Sequence, residues 1–263
     1  MQEIDFYLVD AFSDRAFGGN AAAVCPLEEW LPDETLLNMA KQHNQSETAF
    51  FVRTDSGFEL RWFTTLDEIN LCGHATLAAS HVIFEYLDYP HTEITFSTRF
   101  VGDLTVKRNG DWLTLNFPAW STEVVDNPPA LLFSALGISG AKEVRAGRDY
   151  MVVLESQQQV EALTPDIAAM IPLDKMVCVT APGDAYDFVS RFFCPGEGVP
   201  EDPVTGSAHS MLIPYWSEKL GKTSLNARQV SARGGDLRCE LKGDRVLIGG
   251  QATLYLKGRI FLR

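Results

Sequence analysis

The features that mark a membrane-spanning, nucleic-acid-binding or secreted disulfide protein are missing from this sequence. No stretch approaches the roughly 18 uninterrupted apolar residues of a membrane span. The first twelve residues, MQEIDFYLVDAF, have neither the basic start nor the long apolar stretch of a secretory signal, and Asp5 and Asp10 interrupt their hydrophobic pattern. Five cysteines, at 25, 72, 178, 194 and 239, are odd in number and contain no CxxC pair, which suits a reducing compartment better than a disulfide framework. A formal charge of −13 without a basic cluster opposes binding to a polyanion, because nucleic-acid affinity comes largely from Lys and Arg neutralising phosphates. The expectation is a soluble, cytoplasmic protein with no nucleic-acid or membrane partner.

Cofactor signatures are also missing. There is no GxGxxG fingerprint, Gly18-Gly19-Asn20 reads as a turn, and no phosphate loop with a Gly-Lys-Ser/Thr ending occurs. The five histidines, at 43, 74, 81, 91 and 209, are dispersed, and no Cys/His set has zinc-like spacing. No metal and no cofactor is expected, so the chemistry must come from side chains.

What is present is a globular composition, 46% hydrophobic in 263 residues, enough for one or two domains sharing an extensive core. Ile4–Phe12 alternates like a strand, Ala21–Cys25 is a short apolar run, and Asp33–His43 has helical spacing through Leu36, Leu37 and Ala40, with Pro32 and Asp33 suiting its start. Strand-like Thr48–Val52 and Phe58–Phe63 follow. A helix then begins near Gly73, and a hairpin turns at Asn109-Gly110. The second half repeats the order: strands near Val144 and at Met151–Leu154, a helix after Thr164-Pro165, strands at Met176–Val179 and Tyr186–Phe193, a helix near Gly206, and a hairpin at Lys242-Gly243-Asp244. Arg61-Trp62-Phe63-Thr64 and Arg191-Phe192-Phe193-Cys194 each end a strand. Each is followed by an acidic loop and then by a glycine and small residues opening a helix, Gly73-His74-Ala75 and Gly206-Ser207-Ala208. The pattern reads as an internal duplication. It divides the chain into residues 1–118, with 252–263 a candidate to return to that half, and residues 119–251.

The first turn of a helix leaves N–H groups unpaired and carries partial positive charge, so glycine and small residues there let a carboxylate approach closely. A small anionic ligand is therefore expected. Taken singly, each helix start is also an ordinary structural feature, and Asp202 and Ser207 are also ordinary capping residues.

The segments VDAFSDRAFGGNAAAV (9–24), NQSETAFF (44–51), CGHATLAASH (72–81), EDPVTGSAHSMLIPYW (201–216) and QVSARGG (229–235) together resemble the PhzF-like phenazine-biosynthesis family. The resemblance implies an α+β, diaminopimelate-epimerase-like fold. Its two pseudo-symmetric halves each wrap a strand layer around a central helix, with an active-site cleft between them. It also implies an isomerase that moves a proton without a cofactor on a small carboxylated amino or hydroxy metabolite, such as a dihydro-hydroxyanthranilate-type compound, and it suggests a homodimer. The motif Glu lands on Glu47 as acid-base residue, and His74 and Asp202 join it as catalytic candidates. Asn20, Ser46, Gly73, Ala75, Thr205, Gly206 and Ser207 are the implied substrate-binding residues. Ala21 departs from a proline common in relatives.

At the start of an apolar strand, Glu47 is expected to be sheltered from water, which would raise its pKa, whereas the positive helix end is expected to keep His74 neutral. Related racemases use two cysteines, but here Cys72 has Asp202 as its counterpart, so Cys72 reads as a packing residue. Racemase or epimerase action, and a binding protein without turnover, are the alternatives.

Overall fold

The computed structural model describes residues 2–263, which divide into two compact units: Met1–Phe117 with Ile248–Arg263, and Pro118–Leu247. No helix among the described residues is long and apolar enough to cross a membrane.

In unit 1, β1 (Gln2–Ala11) pairs antiparallel with β2 (Asn20–Leu27), which lies parallel to β3 (Thr48–Thr54). The crossover between them is α1 (Asp33–His43). Asp33 and Glu34 stand in the first turn of α1 and Lys41 and His43 in its last, matching the helix dipole. Asn44 ends it in the left-handed region at φ 52°, its N–H reaching the Ala40 carbonyl. Leu36, Met39 and Ala40 of α1 bury against Ile4, Cys25, Phe50 and Phe63. Next, β4 (Gly57–Phe63) pairs antiparallel with β3 and with the short β5 (Glu68–Ile69). Then α2 (Gly73–Tyr86) crosses over to β6 (Glu93–Thr98), which is parallel to β4, and a meander follows through β7 (Gly102–Asn109) and β8 (Trp112–Pro118).

Eleven of the fourteen residues of α2 are buried, so it is the central helix of the unit and not a surface helix with one apolar stripe. Its Ala, Thr and Ser content keeps its girth small. The hydroxyls of Thr76 and Ser80 are satisfied by the carbonyls four residues earlier, Cys72 and Thr76, at 2.5 and 2.8 Å.

Unit 2 contains β9 (Glu123–Val124), α3 (Ala130–Leu136), β10 (Glu143–Ala146), β11 (Tyr150–Val153), α4 (Gln157–Glu161), α5 (Ile167–Met170), β12 (Val177–Pro182), β13 (Phe188–Cys194), β14 (Val199–Asp202), α6 (His209–Leu220), β15 (Ser224–Gln229), β16 (Gly235–Lys242) and the first three residues of β17 (Arg245–Gly250), whose last three are counted with unit 1. Here β11 is parallel to β12, and β13 is parallel to β15 across α6, as β2 is to β3 and β4 is to β6. The last strand, β18 (Ala252–Leu262), pairs antiparallel with β1 along its whole length, from Gln2 opposite Leu262 to Ala11 opposite Ala252.

The duplication extends to side chains. Arg61 on β4 forks onto Glu68 of β5 at 2.7 Å, and Arg191 on β13 forks onto Glu201 of β14 at 2.8 Å. Each guanidinium also lies over the phenylalanine two residues on, Phe63 at 5.1 Å and Phe193 at 5.0 Å. Helix α3 and strand β6 were not legible as elements from the sequence. Helix α6 starts at His209, because Gly206–Ala208 form a turn ahead of it.

Candidate active site

In unit 1, the loop after α1 runs through Ser46 and Glu47 into β3, and the Ala23 N–H of β2 fixes the Glu47 carbonyl at 3.3 Å. Asn20 heads that same β2 and is buried. The loop meets the first turn of α2, where Gly73, His74 and Ala75 are all buried. Glu47 Oε2 lies 3.2 Å from His74 Nε2, with the side chains 16% and 3% exposed. The Ser46 hydroxyl is 3.4 Å from the same nitrogen, and Cys72 Sγ is 3.5 Å from Nδ1 on the other side of the ring. The result is a row, Cys72 to His74 to Glu47.

This arrangement corrects two expectations. Burial pushes the Glu47 pKa up, but the positive charge and hydrogen bonding of His74 pull harder, with help from Ser46, and the net shift is downward. Burial pushes His74 down, but the Glu47 charge 3.2 Å away and the contacts of the ring with Cys72 and Glu47 outweigh it, and the net shift is upward, well above the ordinary imidazole value. The nearer counter-ion overrides the helix end. Cys72 is buried and touches the imidazole; burial first, then the Glu47 charge, pushes its thiol up to about 11. It is a thiol at neutral pH, so Glu47 supplies the negative charge that His74 meets there.

Glu47 Oε2 is buried yet has no well-aligned hydrogen bond. At 3.2 Å it makes an ion-pair contact with Nε2 and keeps acceptor capacity for a proton from elsewhere. Glu47, Cys72 and His74 are also the set among the described residues whose ligand atoms fall within 4.8 Å of one another. His74 turns one ring nitrogen to Cys72 and the other to Glu47, however, and the thiol is protonated. A donor set divided by the ring suits proton transfer better than convergence on one ion.

In unit 2 the candidates form a braced turn. Thr205 Oγ1 donates to Asp202 Oδ2 at 2.5 Å. The buried Gln229 accepts from the Thr205 N–H at 2.8 Å and donates to the Asp202 carbonyl at 2.6 Å, while Ser231 donates to the Pro203 carbonyl at 2.8 Å. Segment 229–235, which carried no role in the sequence, thus clamps Asp202–Thr205. Gly206 begins the turn into α6, and Ser207 Oγ accepts from Arg148 Nη2 at 3.1 Å. Arg148 and Gln229 were missed. Gln229 opens the QVSARGG motif and was findable, whereas Arg148 lies in a hairpin that no motif marks.

The model of the family described as phenazine biosynthesis-like protein (PhzC-PhzF) matches residues 9–258. An uncharacterized isomerase of Pseudomonas aeruginosa is 49% identical over 99% of this chain and 100% of its own. A solved phenazine biosynthesis PhzF-family protein of Enterococcus faecalis superposes with a TM-score of 0.95 at 45% identity, covering 99% of this chain and 100% of that one. At the level of fold alone, the likeness extends to a probable proline racemase of Agrobacterium radiobacter, with a TM-score of 0.62 and 10% identity over 99% of this chain and 93% of that one. The fold is therefore of the diaminopimelate-epimerase-like α+β type.

Proposed function

We propose, from the premise that this chain belongs to the phenazine biosynthesis-like family and is an isomerase of that type, that it moves a proton within a small carboxylated metabolite, with Glu47 as the acid-base group. The observation that carries the reading is the buried, poorly hydrogen-bonded Oε2 of Glu47 held 3.2 Å from His74. Glu47 takes a proton from a carbon next to an unsaturated or carbonyl system. The electron pair released moves into that conjugated system, and the proton returns from Glu47 to another carbon. His74 keeps Glu47 ionised at neutral pH and steadies it after each transfer. Gly73 and Ala75, at the start of α2, and Ser46 are assigned to substrate binding beside it. Asp202, Thr205, Gly206 and Ser207 are assigned to substrate orientation on the strength of their motif. A cyclic amino or hydroxy acid of the dihydro-hydroxyanthranilate type is the substrate class this reading favours, in a homodimeric enzyme.

The test is a screen of small cyclic amino and hydroxy acids in deuterated water by NMR. A substrate should take up solvent deuterium with the wild type and lose at least about a hundredfold in rate with Glu47→Gln, the usual scale of a general acid-base group. Unchanged exchange in that variant defeats the assignment.

A second reading, racemase or epimerase action, is favoured by the contact of Cys72 with His74. It requires deuterium to enter an existing stereocentre with inversion. The high thiol pKa weighs against it, since Cys72 then serves as an acid but poorly as a base.

A further inference from the structure

Within unit 2, the three-residue turn Gly147–Asp149 between β10 and β11 holds an arginine in a fixed position. Asp149 is wholly buried, and among the described residues its ion pair is with Arg148, at 2.6 Å. Arg148 Nε and Nη2 both donate to the same oxygen, Asp149 Oδ2, at 2.9 and 2.6 Å, while Asp149 Oδ1 is buried without a hydrogen bond. The guanidinium carbon stands 4.7 Å over the Trp120 ring. Trp120 is itself pinned. Pro214 inside α6 has no N–H for the Ser210 carbonyl, and the Trp120 N–H takes that carbonyl at 2.9 Å. The turn leaves no slack, because a Cβ on Gly147 would stand 2.8 Å from the Ser121 carbonyl oxygen.

So constrained, Arg148 reaches Ser207 Oγ through Nη2 at 3.1 Å, while Nη1 makes no hydrogen bond among the described residues. Its side chain is 35% exposed. A wholly buried carboxylate is costly to keep and is not needed to hold a surface arginine. The arrangement gains a guanidinium whose rotamer freedom is already lost before a ligand arrives, with one nitrogen open beside a serine hydroxyl.

We infer that Arg148, with Ser207, is the specificity-determining anchor for the substrate's carboxylate. The inference rests on the proposed function for there being a carboxylated substrate, and it adds the residue that recognises it. Arg148 Nη1 and the Ser207 hydroxyl each donate to the carboxylate, and Asp149 and Trp120 set the angle. A neutral analogue of the same ring gains nothing from this pair.

The experiment measures binding of anthranilate and other small ring carboxylates, each against its carboxylate-free parent (aniline for anthranilate), to the wild type, Arg148→Met, Arg148→Lys and Ser207→Ala. Arg148→Met should weaken carboxylate binding by roughly tenfold or more, the scale of a lost charged hydrogen bond, and leave aniline binding unchanged. Arg148→Lys should recover part of the loss, and Ser207→Ala should lose less. Carboxylate binding at wild-type strength in Arg148→Met overturns the inference and leaves the acid-base reading standing, as does equal weakening of aniline, which marks a structural role. Should Arg148→Met fail to fold, Arg148→Lys and Ser207→Ala decide on the same criterion. If the wild type binds none of the carboxylates, the carboxylate-substrate reading fails, and this inference fails with it.

Discussion

At the scale of single residues, the charge state of Glu47 and His74 was beyond the reach of the sequence. Position along the chain predicts a raised carboxyl and a neutral imidazole. Their mutual approach to 3.2 Å inverts both, because an opposite charge at that distance in a mostly buried site outweighs desolvation and a helix end. The pair thus exists as carboxylate and imidazolium over a wide range. Activity should fall on the acid side only below the ordinary glutamate value, where Glu47 protonates, and on the alkaline side well above the ordinary imidazole value, where His74 loses its proton. A pH–rate profile checks this, and His74→Asn should move the acid limb up towards the ordinary carboxylate range. Cys72 separates the two reaction readings. Under proton shift by Glu47 alone, Cys72→Ala keeps exchange within about tenfold of wild type, well short of the loss expected for a general acid-base group. Under a two-base racemisation it abolishes inversion at the stereocentre, which chiral chromatography detects.

At the scale of elements, the glycines of residues 18–20 carry a message that sequence reading caught in part. Gly19 has φ +60°, and a Cβ there would overlap the Ala11 carbonyl of β1, the strand that Asn20 of β2 pairs with. Gly19→Ala should cost about 1–3 kcal/mol in urea unfolding, through both the left-handed backbone and the collision with main chain that cannot yield. The β1–β2 turn, the bounds of α1 and the Asn109-Gly110 hairpin were legible because each depends on local signals: turn glycines, Pro32 and Asp33 at a helix start, a helical period. The paired Arg61–Glu68 and Arg191–Glu201 forks were foreshadowed by the repeated Arg-aromatic segments. Helix α3 is only seven residues long, too short to impose a period. The bracing of Asp202 by Gln229 joins residues 27 apart in the chain, and the Arg148–Ser207 contact joins residues 59 apart. No local spacing encodes such contacts.

At the scale of the whole molecule, four histidines, His43, His74, His81 and His209, fall into two classes whose effects on stability appear in different pH windows. Burial lowers His209 and His43, each to about 4, and His81 is also lowered by burial first. A histidine held neutral in the fold takes up a proton on unfolding once the pH is below its ordinary value of 6.5. The unfolded chain then binds more protons, and stability drops as the pH falls from about 6.5 towards 4. His74 adds nothing to that slope, because below 6.5 it is protonated folded and unfolded alike; its contribution is lost only as the pH rises through its raised folded value. The carboxylates whose pKa is lowered, such as Glu143 and Asp187, lose theirs only below the ordinary carboxyl range. The slope between pH 6.5 and 5 therefore belongs to the buried neutral histidines. His209 is the clearest case: it is fully buried, its Nδ1 donates to the Thr205 carbonyl at 2.8 Å, and its Nε2 has no partner to receive a charge. Its share by pH 4 is on the order of 3 kcal/mol. Urea unfolding at pH 7.5, 6 and 5 should show this acid loss in the wild type. His209→Asn, which keeps a donor for Thr205 but cannot titrate, should start less stable at pH 7.5 and show a visibly shallower loss. Parallel slopes in the two proteins would assign the acid sensitivity elsewhere.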